Sequence, residues 1–369
     1  MITALIPSLL LGISFPKNPA HNPVIDLSNF ESVVGVKHDL SQIFTPFDSR
    51  TSPEMVVPYF YTKPMDIWKS GKIPVLTWYP ATSTMYPTPT NINVLIYSGQ
   101  FDSYLDRAFS SINKFLGDAK VSSVIGSPKI YIRYAHEMNI GSHLWSGPTP
   151  SDYVKAWQYV VNYSRKYPNI SKNTVQFIWC PNNNDIGTLP VAGNETTGSG
   201  TPTPPFENYY PGDEFVDWVG VDGYAWRGRG EQQSFEQVMV PALNRLRNLT
   251  SKPIMIAEYG VAPKNQFGYD VDGKAAWVKD AFNWISSNAA LYNIKASMYY
   301  NISMGGGDID SAIFIPSNLV VDTKSLNTTV STPDNNNYFS FTNVRSVYST
   351  NLGYENNNKV ITLDAFQGK

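Results

Sequence analysis

Two glutamates, Glu137 and Glu258, carry the strongest chemical signal in this chain because each ends an apolar run: Glu137 follows residues 129–135, and Glu258 follows Ile254-Met255-Ile256-Ala257. Two carboxyls held about 5–5.5 Å apart can divide one reaction between them, one donating a proton to a leaving oxygen and the other, ionised, attacking an anomeric carbon. A lone strand-end glutamate is a salt bridge or a loop anchor; the pairing makes the case. By period-two alternation Arg133 shares Glu137's side of its strand, where it holds positive charge near the carboxylates or forms a structural ion pair. Other chemistries lack their residues. His136-Glu137 is not a zinc-protease helix, since Ile140 stands where the second histidine would be. No Gly-x-Ser-x-Gly elbow or phosphate-cradling glycine loop occurs. Cys180 is the only cysteine, which excludes an intrachain disulfide and a cysteine metal cage. Asp270-Val271-Asp272-Gly273 reads as a turn, not a calcium loop. Neither a metal nor a cofactor is expected.

A scaffold must bring the ends of distant strands together. Short apolar runs at 9–15, 33–36, 73–79, 129–135, 174–180, 215–222, 253–258 and 294–301 alternate with helical patterns. Eight such strands, spaced by about 40 residues, predict a (β/α)8 TIM barrel, in which strands four and seven end on opposite sides of one mouth. Helices are predicted at 102–116, 152–163 and 273–286. Residues 182–212, with Asn182-Asn183-Asn184 and Thr201-Pro202-Thr203-Pro204-Pro205, form an excursion after strand five that either contacts substrate or is a surface insertion. Further on, Tyr338, Phe341, Val344 and Val347 fit helical spacing, while 359–366 alternates like a strand. The expected organisation is a barrel over 1–350 and a C-terminal extension over 351–369 packed on it.

Composition narrows the partners. With 28 basic and 30 acidic residues the net charge is −2, which offers no footprint for nucleic acid or anionic lipid. The apolar start has no Lys or Arg before Lys17 and is interrupted by Pro7 and Gly12, so it reads as a first buried strand and not as a signal peptide. No stretch approaches the roughly 20 apolar residues of a membrane helix. Charged residues make up only 16%, against a usual share of roughly 25%, and this low charge with abundant Asn, Thr and Tyr suits a monomer working outside the cell or at its surface.

The segment Ile132-Arg133-Tyr134-Ala135-His136-Glu137-Met138-Asn139 resembles the acid/base strand of glycoside hydrolase family 26, mostly β-mannanases within a clan of retaining (β/α)8 glycosidases. Ile73-Pro74-Val75-Leu76-Thr77-Trp78 is similar to that family's third strand, Trp179-Cys180-Pro181-Asn182 to its fifth, Asp217 through Tyr224 to its sixth, and Ala257-Glu258-Tyr259-Gly260 to its nucleophile strand. The motifs occur in the family's order. The resemblance implies Glu137 as acid/base and Glu258 as nucleophile. It places His136 beside the first sugar, the alternative being a histidine that shapes the strand end, and it has Tyr224 hydrogen-bonding the nucleophile, the alternative being packing.

Trp78, Trp145 and Trp226 follow strands or strand-end motifs, and indole faces stack well on sugar rings, so these three are the platform candidates beside the alternative of burial. Trp157, Trp277 and Trp284 lie in helical patterns and are assigned to packing. Asn139 bonds a sugar hydroxyl or holds its own loop. Two departures from the family bear on specificity: Ile140-Gly141-Ser142-His143-Leu144 intervenes before Trp145, and strand eight ends Met298-Tyr299-Tyr300-Asn301 without a tryptophan. The expected activity is retaining endo-hydrolysis of a β-linked polysaccharide, first mannan or glucomannan. The same chemistry on β-glucan or β-xylan, and a non-catalytic carbohydrate-binding barrel, are the alternatives.

Overall fold

The strands that position the two glutamates close on themselves. In a computed structural model of the chain, which describes residues 9–15, 22–47, 56–80, 91–120, 126–147, 149–186, 204–225, 233–262, 264–265, 268–269, 271–301, 314–316, 338–340 and 363–368, eight parallel strands form a closed barrel. They are β1 (Leu10–Ser14), β2 (Leu40–Pro46), β3 (Ile73–Tyr79), β4 (Ile130–Tyr134), β5 (Val175–Trp179), β6 (Trp218–Ala225), β7 (Ile254–Val261) and β8 (Ile294–Tyr300), each paired with its neighbours in chain order and β8 with β1. Helices flank them: α1 (Pro23–Val34), α2 (Lys63–Lys69), α3 (Ile92–Tyr97), α4 (Asp102–Ala119), α5 (Pro150–Ser164), α6 (Phe235–Leu249) and α7 (Val271–Tyr292). The strands are buried on both faces, outward against helices and inward against one another, which is why they read as continuous apolar runs. This is a (β/α)8 TIM barrel.

The second strand lies elsewhere than expected. Val33 and Val34 end helix α1, whose start is capped by the Asn22 side chain accepting from Val24 N and Ile25 N, and whose end is closed by Gly35 at φ 68°. The true β2 reads Leu-Ser-Gln-Ile-Phe-Thr-Pro, and its Ser41, Gln42 and Thr45 are buried although polar. The apolar-run criterion passed over it because its inward face is hydrogen-bonded.

Three further expectations are corrected. The end of 359–366 is helical, not extended: α8 (Leu363–Gln367) buries Phe366 against Tyr131 at 4.7 Å between ring centroids, and Tyr131 Oη and Trp218 Nε1 donate to its carbonyl at 2.9 and 3.1 Å. Tyr338–Ser340 pairs antiparallel with Phe314–Pro316 where helical spacing was read. Val271, Asp272 and Gly273 open helix α7 and are not a turn. Residues 187–203 of the excursion lie outside the described residues. Its two flanks are tied together, since Arg245 of α6 pairs with Asp185 at 2.9 Å and Glu207 at 2.6 Å, and Phe206 N donates to Asp185. Among the described residues no helix is long and apolar enough to cross a membrane.

At the N-terminal ends of the strands, away from Glu137 and Glu258, Glu31 accepts from His38 N and Lys72 Nζ, each at 2.7 Å, and from Lys37 Nζ at 3.1 Å. Burial raises its proton affinity, but the bonds from His38 and Lys72 outweigh burial and lower its pKa from 4.5 to about 2. A depressed folded pKa stabilises above the unfolded value and is lost as pH falls through the folded one. Glu31→Gln is therefore expected to lower stability at neutral pH, with the gap to wild type closing between about pH 4.5 and pH 2 in urea titrations. Phe366→Ala should cost about 3–5 kcal/mol in the same assay, by emptying the site between Tyr131 and Trp218.

Candidate active site

Alternation along β4 turns Tyr131 and Arg133 inward and Ile132 and Tyr134 toward the helices. Arg133 is fully buried and its guanidinium crosses the barrel interior. Its Nε donates to Thr77 Oγ1 of β3 at 3.0 Å, its Nη1 donates to both carboxylate oxygens of Asp222 on β6 at 2.7 Å, and its Nη2 donates to Glu258 Oε1 on β7. Behind it Gln42 donates to Thr77 Oγ1 at 2.5 Å and Ser14 donates to Gln42 Oε1, so polar side chains of β1 to β3 buttress the guanidinium. Burial opposes the charge on Arg133, yet Asp222 and Glu258 more than reverse this and hold the guanidinium fully protonated.

Glu258 is gripped at both oxygens, by Arg133 at Oε1 and by the Tyr224 hydroxyl at Oε2. Burial, then the Glu258 charge, pushes the Tyr224 phenol well above its usual range, so it stays a donor. Asp222 is the residue that sequence reasoning missed. It closes the run at 215–222, and the rule that singled out Glu137 and Glu258, an acid where an apolar run ends, would have found it. One guanidinium serves two buried carboxyls; burial and the Glu258 and Glu137 charges push the Asp222 carboxyl up against the pull of Arg133. The Cys180 thiol, itself pushed up by burial, donates to Asp222 Oδ1 at 3.3 Å.

Glu137 is built differently. Beyond β4 the chain turns through Ala135 at φ 45° and Glu137 at φ 53°, left-handed positions that cost about 1–3 kcal/mol each for residues with a Cβ. The surroundings hold them there: Ala135 N donates to Trp78 O at 2.8 Å, Tyr153 Oη to Ala135 O at 3.0 Å, and Glu137 N to Cys180 O at 2.7 Å. The turn sets the half-buried Glu137 carboxyl near β5 and β6, where Asn182 Nδ2 donates to its Oε1 at 2.8 Å. Asn139 is wholly engaged with its surroundings, donating to Asn182 O, Asn184 O and Asp185 Oδ1 and accepting from Asn182 N. It holds its loop and has no side-chain atom to offer a sugar.

The tryptophans separate. Trp78 neighbours inward-facing Thr77 and so points outward by alternation; it is fully buried among Phe47, Phe60, Tyr104, Phe109 and Tyr134 and cannot meet substrate. Trp145 donates to His136 O at 2.6 Å and is covered by His143, stacked on it at 4.3 Å. Trp226 lies outside the described residues. The rings around the mouth are instead Phe44, Tyr79, Tyr224 and Tyr300, with Tyr224 and Tyr300 edge to face at 5.4 Å. One donor atom each from His136, Glu137 and Asp222 lies within 4.8 Å of the others, the one grouping among the described residues that could hold a metal ion. A cation there would compete with Arg133 for Asp222.

The parallel barrel thus carries one guanidinium-bound glutamate within β7 and a second glutamate just beyond β4. The profile of glycosyl hydrolase family 26 matches residues 60–288, and the chain belongs to that family. It is 27% identical over 273 residues to endoglucanase H of Acetivibrio thermocellus, covering 71% of this chain and 25% of that protein, so it spans about a quarter of that relative's length. By structure it is similar to the catalytic domain of the Bacillus sp. JAMB-750 endo-β-1,4-mannanase, with a TM-score of 0.61 and 16% identity over 94% of this chain and 86% of that one. It is also similar to a modular endo-β-1,4-mannanase from Cellulomonas fimi, with a TM-score of 0.54 and 16% identity over 84% of this chain and 68% of that one. These structural likenesses establish the fold.

Removing one partner of a buried ion pair leaves the other charge uncompensated. Arg133→Ala is expected to lose about 3–5 kcal/mol of stability at neutral pH, as measured by urea unfolding.

Proposed function

We propose that this protein is a retaining endo-β-glycosidase in which Glu258 is the nucleophile and Glu137 the acid/base. The observation that carries this reading is the unequal treatment of the two carboxyls. Glu258 receives a hydrogen bond at each oxygen, one from a permanent cation, which fixes its direction. Glu137 lies in the turn just beyond β4, half-buried, and accepts from the neutral amide of Asn182.

In the first step Glu258 forms a bond to the anomeric carbon while Glu137 gives its proton to the departing glycosidic oxygen, producing a glycosyl ester and a free chain end. Glu137, now ionised, takes a proton from water as that water attacks the same carbon, and the bond to Glu258 breaks. Two inversions give net retention. When Glu258 loses its charge in the ester, Arg133 keeps Asp222 as counter-ion, so the barrel interior is not left with an unpaired guanidinium. No step calls on a metal or cofactor. His136 sits beside Glu137 at the first sugar site, and Tyr224 and Tyr300 form its aromatic wall.

Mannan or glucomannan is the substrate in this reading, in line with the mannanases of the same fold, and a monomer would meet such polymers outside the cell or at its surface. β-Glucan is the second reading, favoured by the likeness to an endoglucanase over most of the chain and by Tyr300 at the end of β8; β-xylan would require only different walls.

Product release from mannan, glucomannan, β-glucan and β-xylan, with the anomer followed by NMR, tests the proposal and ranks the polymers. Wild type should release products of retained configuration and Glu258→Ala none. Glu137→Ala should fall about 10²–10⁴-fold on poor leaving groups, the range of general acid catalysis. Inverted products overturn the mechanism, and sugar binding without turnover on any polymer makes the protein a carbohydrate-binding barrel. The rate should follow a bell in pH set by the two carboxyls together.

A further inference from the structure

We infer that Asn182 is a positioning residue for the acid/base, its side-chain amide fixing the rotamer of Glu137 and setting the proton affinity of that carboxyl. The inference rests on the acid/base reading of Glu137.

The geometry leaves the amide little freedom. Asn182 is 7% exposed, and its Oδ1 accepts from Asn184 N at 3.1 Å, which turns Nδ2 toward Glu137 Oε1, 2.8 Å away. Its main chain is clamped on both sides by Asn139: Asn182 N donates to Asn139 Oδ1 at 2.8 Å, and Asn139 Nδ2 donates to Asn182 O at 2.9 Å. Asn139 stands two residues beyond Glu137, whose own N–H is bonded to Cys180 O. Glu137, Asn139 and Asn182 thus close a hydrogen-bonded ring between the exits of β4 and β5, and the left-handed turn at Glu137 is part of it.

The chemistry of this donor suits a group that must change charge twice per turnover. Glu137 has ionisable neighbours on several elements: His136 and His143 of its own loop, Asp222 and Tyr224 of β6, with Arg133 of β4 behind Asp222, and Tyr300 of β8. The Asp222 carboxylate lies close to this carboxyl, and the Asn182 N–H is bonded to its Oε1. Being neutral, the amide stays bonded to Oε1 whether or not the carboxyl carries its proton. A lysine here would strip that proton, and a carboxylate would compete for it.

The test compares Asn182→Ala and Asn182→Asp with wild type, and Glu137→Gln in parallel, on the best polymer and on an aryl glycoside with a good leaving group. Asn182→Asp, isosteric and suited to folding even if Asn182→Ala is not, should move the alkaline limb of kcat/KM up by about one pH unit, and Asn182→Ala by roughly half that. Each should lose about 10- to 100-fold on the polymer and little on the activated glycoside, as expected when proton delivery is impaired. A loss that is equal at every pH and on both substrates means a structural role only and overturns the inference. If Glu137→Gln loses activity on the polymer while the pH profiles of the Asn182 variants stay put, the role of Asn182 falls alone. If Glu137→Gln keeps that activity, the acid/base assignment falls and this inference with it.

Discussion

The buried guanidinium of Arg133 is the constraint around which the rest of the barrel interior is arranged. A cation without water needs anions and acceptors for its protons, and β3, β6 and β7 supply them as Thr77, Asp222 and Glu258. The arrangement explains why Ser14, Gln42 and Thr77, polar residues on strands that should be apolar, are buried: they form the far side of the same network. It also limits side-chain size nearby. A Cβ on Gly220 would lie 2.7 Å from Cys180 Sγ, so the layer that admits the thiol beside Asp222 requires glycine on the neighbouring strand. Replacing the whole network by hydrocarbon could stabilise the barrel, but it would remove the charge that orients Glu258.

The two strand exits are built for different tasks. At β7 the carboxylate stays within the strand, at a point where its pairing with β6 and β8 shifts register, nearly out of water and held from both sides. At β4 the chain leaves strand geometry at once, through two left-handed residues, and the carboxyl that results is half-buried. Such strain persists only where neighbours over-determine the backbone, and here the bonds from Tyr153, from Glu137 N and through the Asn139–Asn182 pair do so. Under the proposed mechanism, the group that gives and takes a proton gains from a neutral, fixed setting, and the nucleophile gains from a cation. The structural work of the opposite end, where Glu31 gathers its cations and Phe366 seats between Tyr131 and Trp218, is kept away from this chemistry.

The fold was legible in the chain because both faces of a parallel strand are buried, so residues such as 73–79 or 254–257 stand out as apolar runs. The same principle hid β2, whose inward Gln42 has its partners on β1 and β3. Likewise Glu137 and Glu258 were found by their place at run ends, and Arg133 by alternation, but the choice between a charge beside the carboxylates and an ion pair was not a real alternative: the guanidinium is both.

What the sequence alone determined is therefore the barrel, the two opposed glutamates and the family to which their motifs belong, since all of these follow from local runs, their ends and their order. Only the tertiary structure decided which partners each group has. Trp78 was a platform candidate until alternation and helix α4 buried it, Trp145 until His143 covered it, and Asn139 was free for sugar until Asn182, 43 residues away in the chain, took its side chain. Hydrogen bonds and ring contacts of that range depend on where closure of the barrel puts each strand end, and no spacing within one strand encodes it.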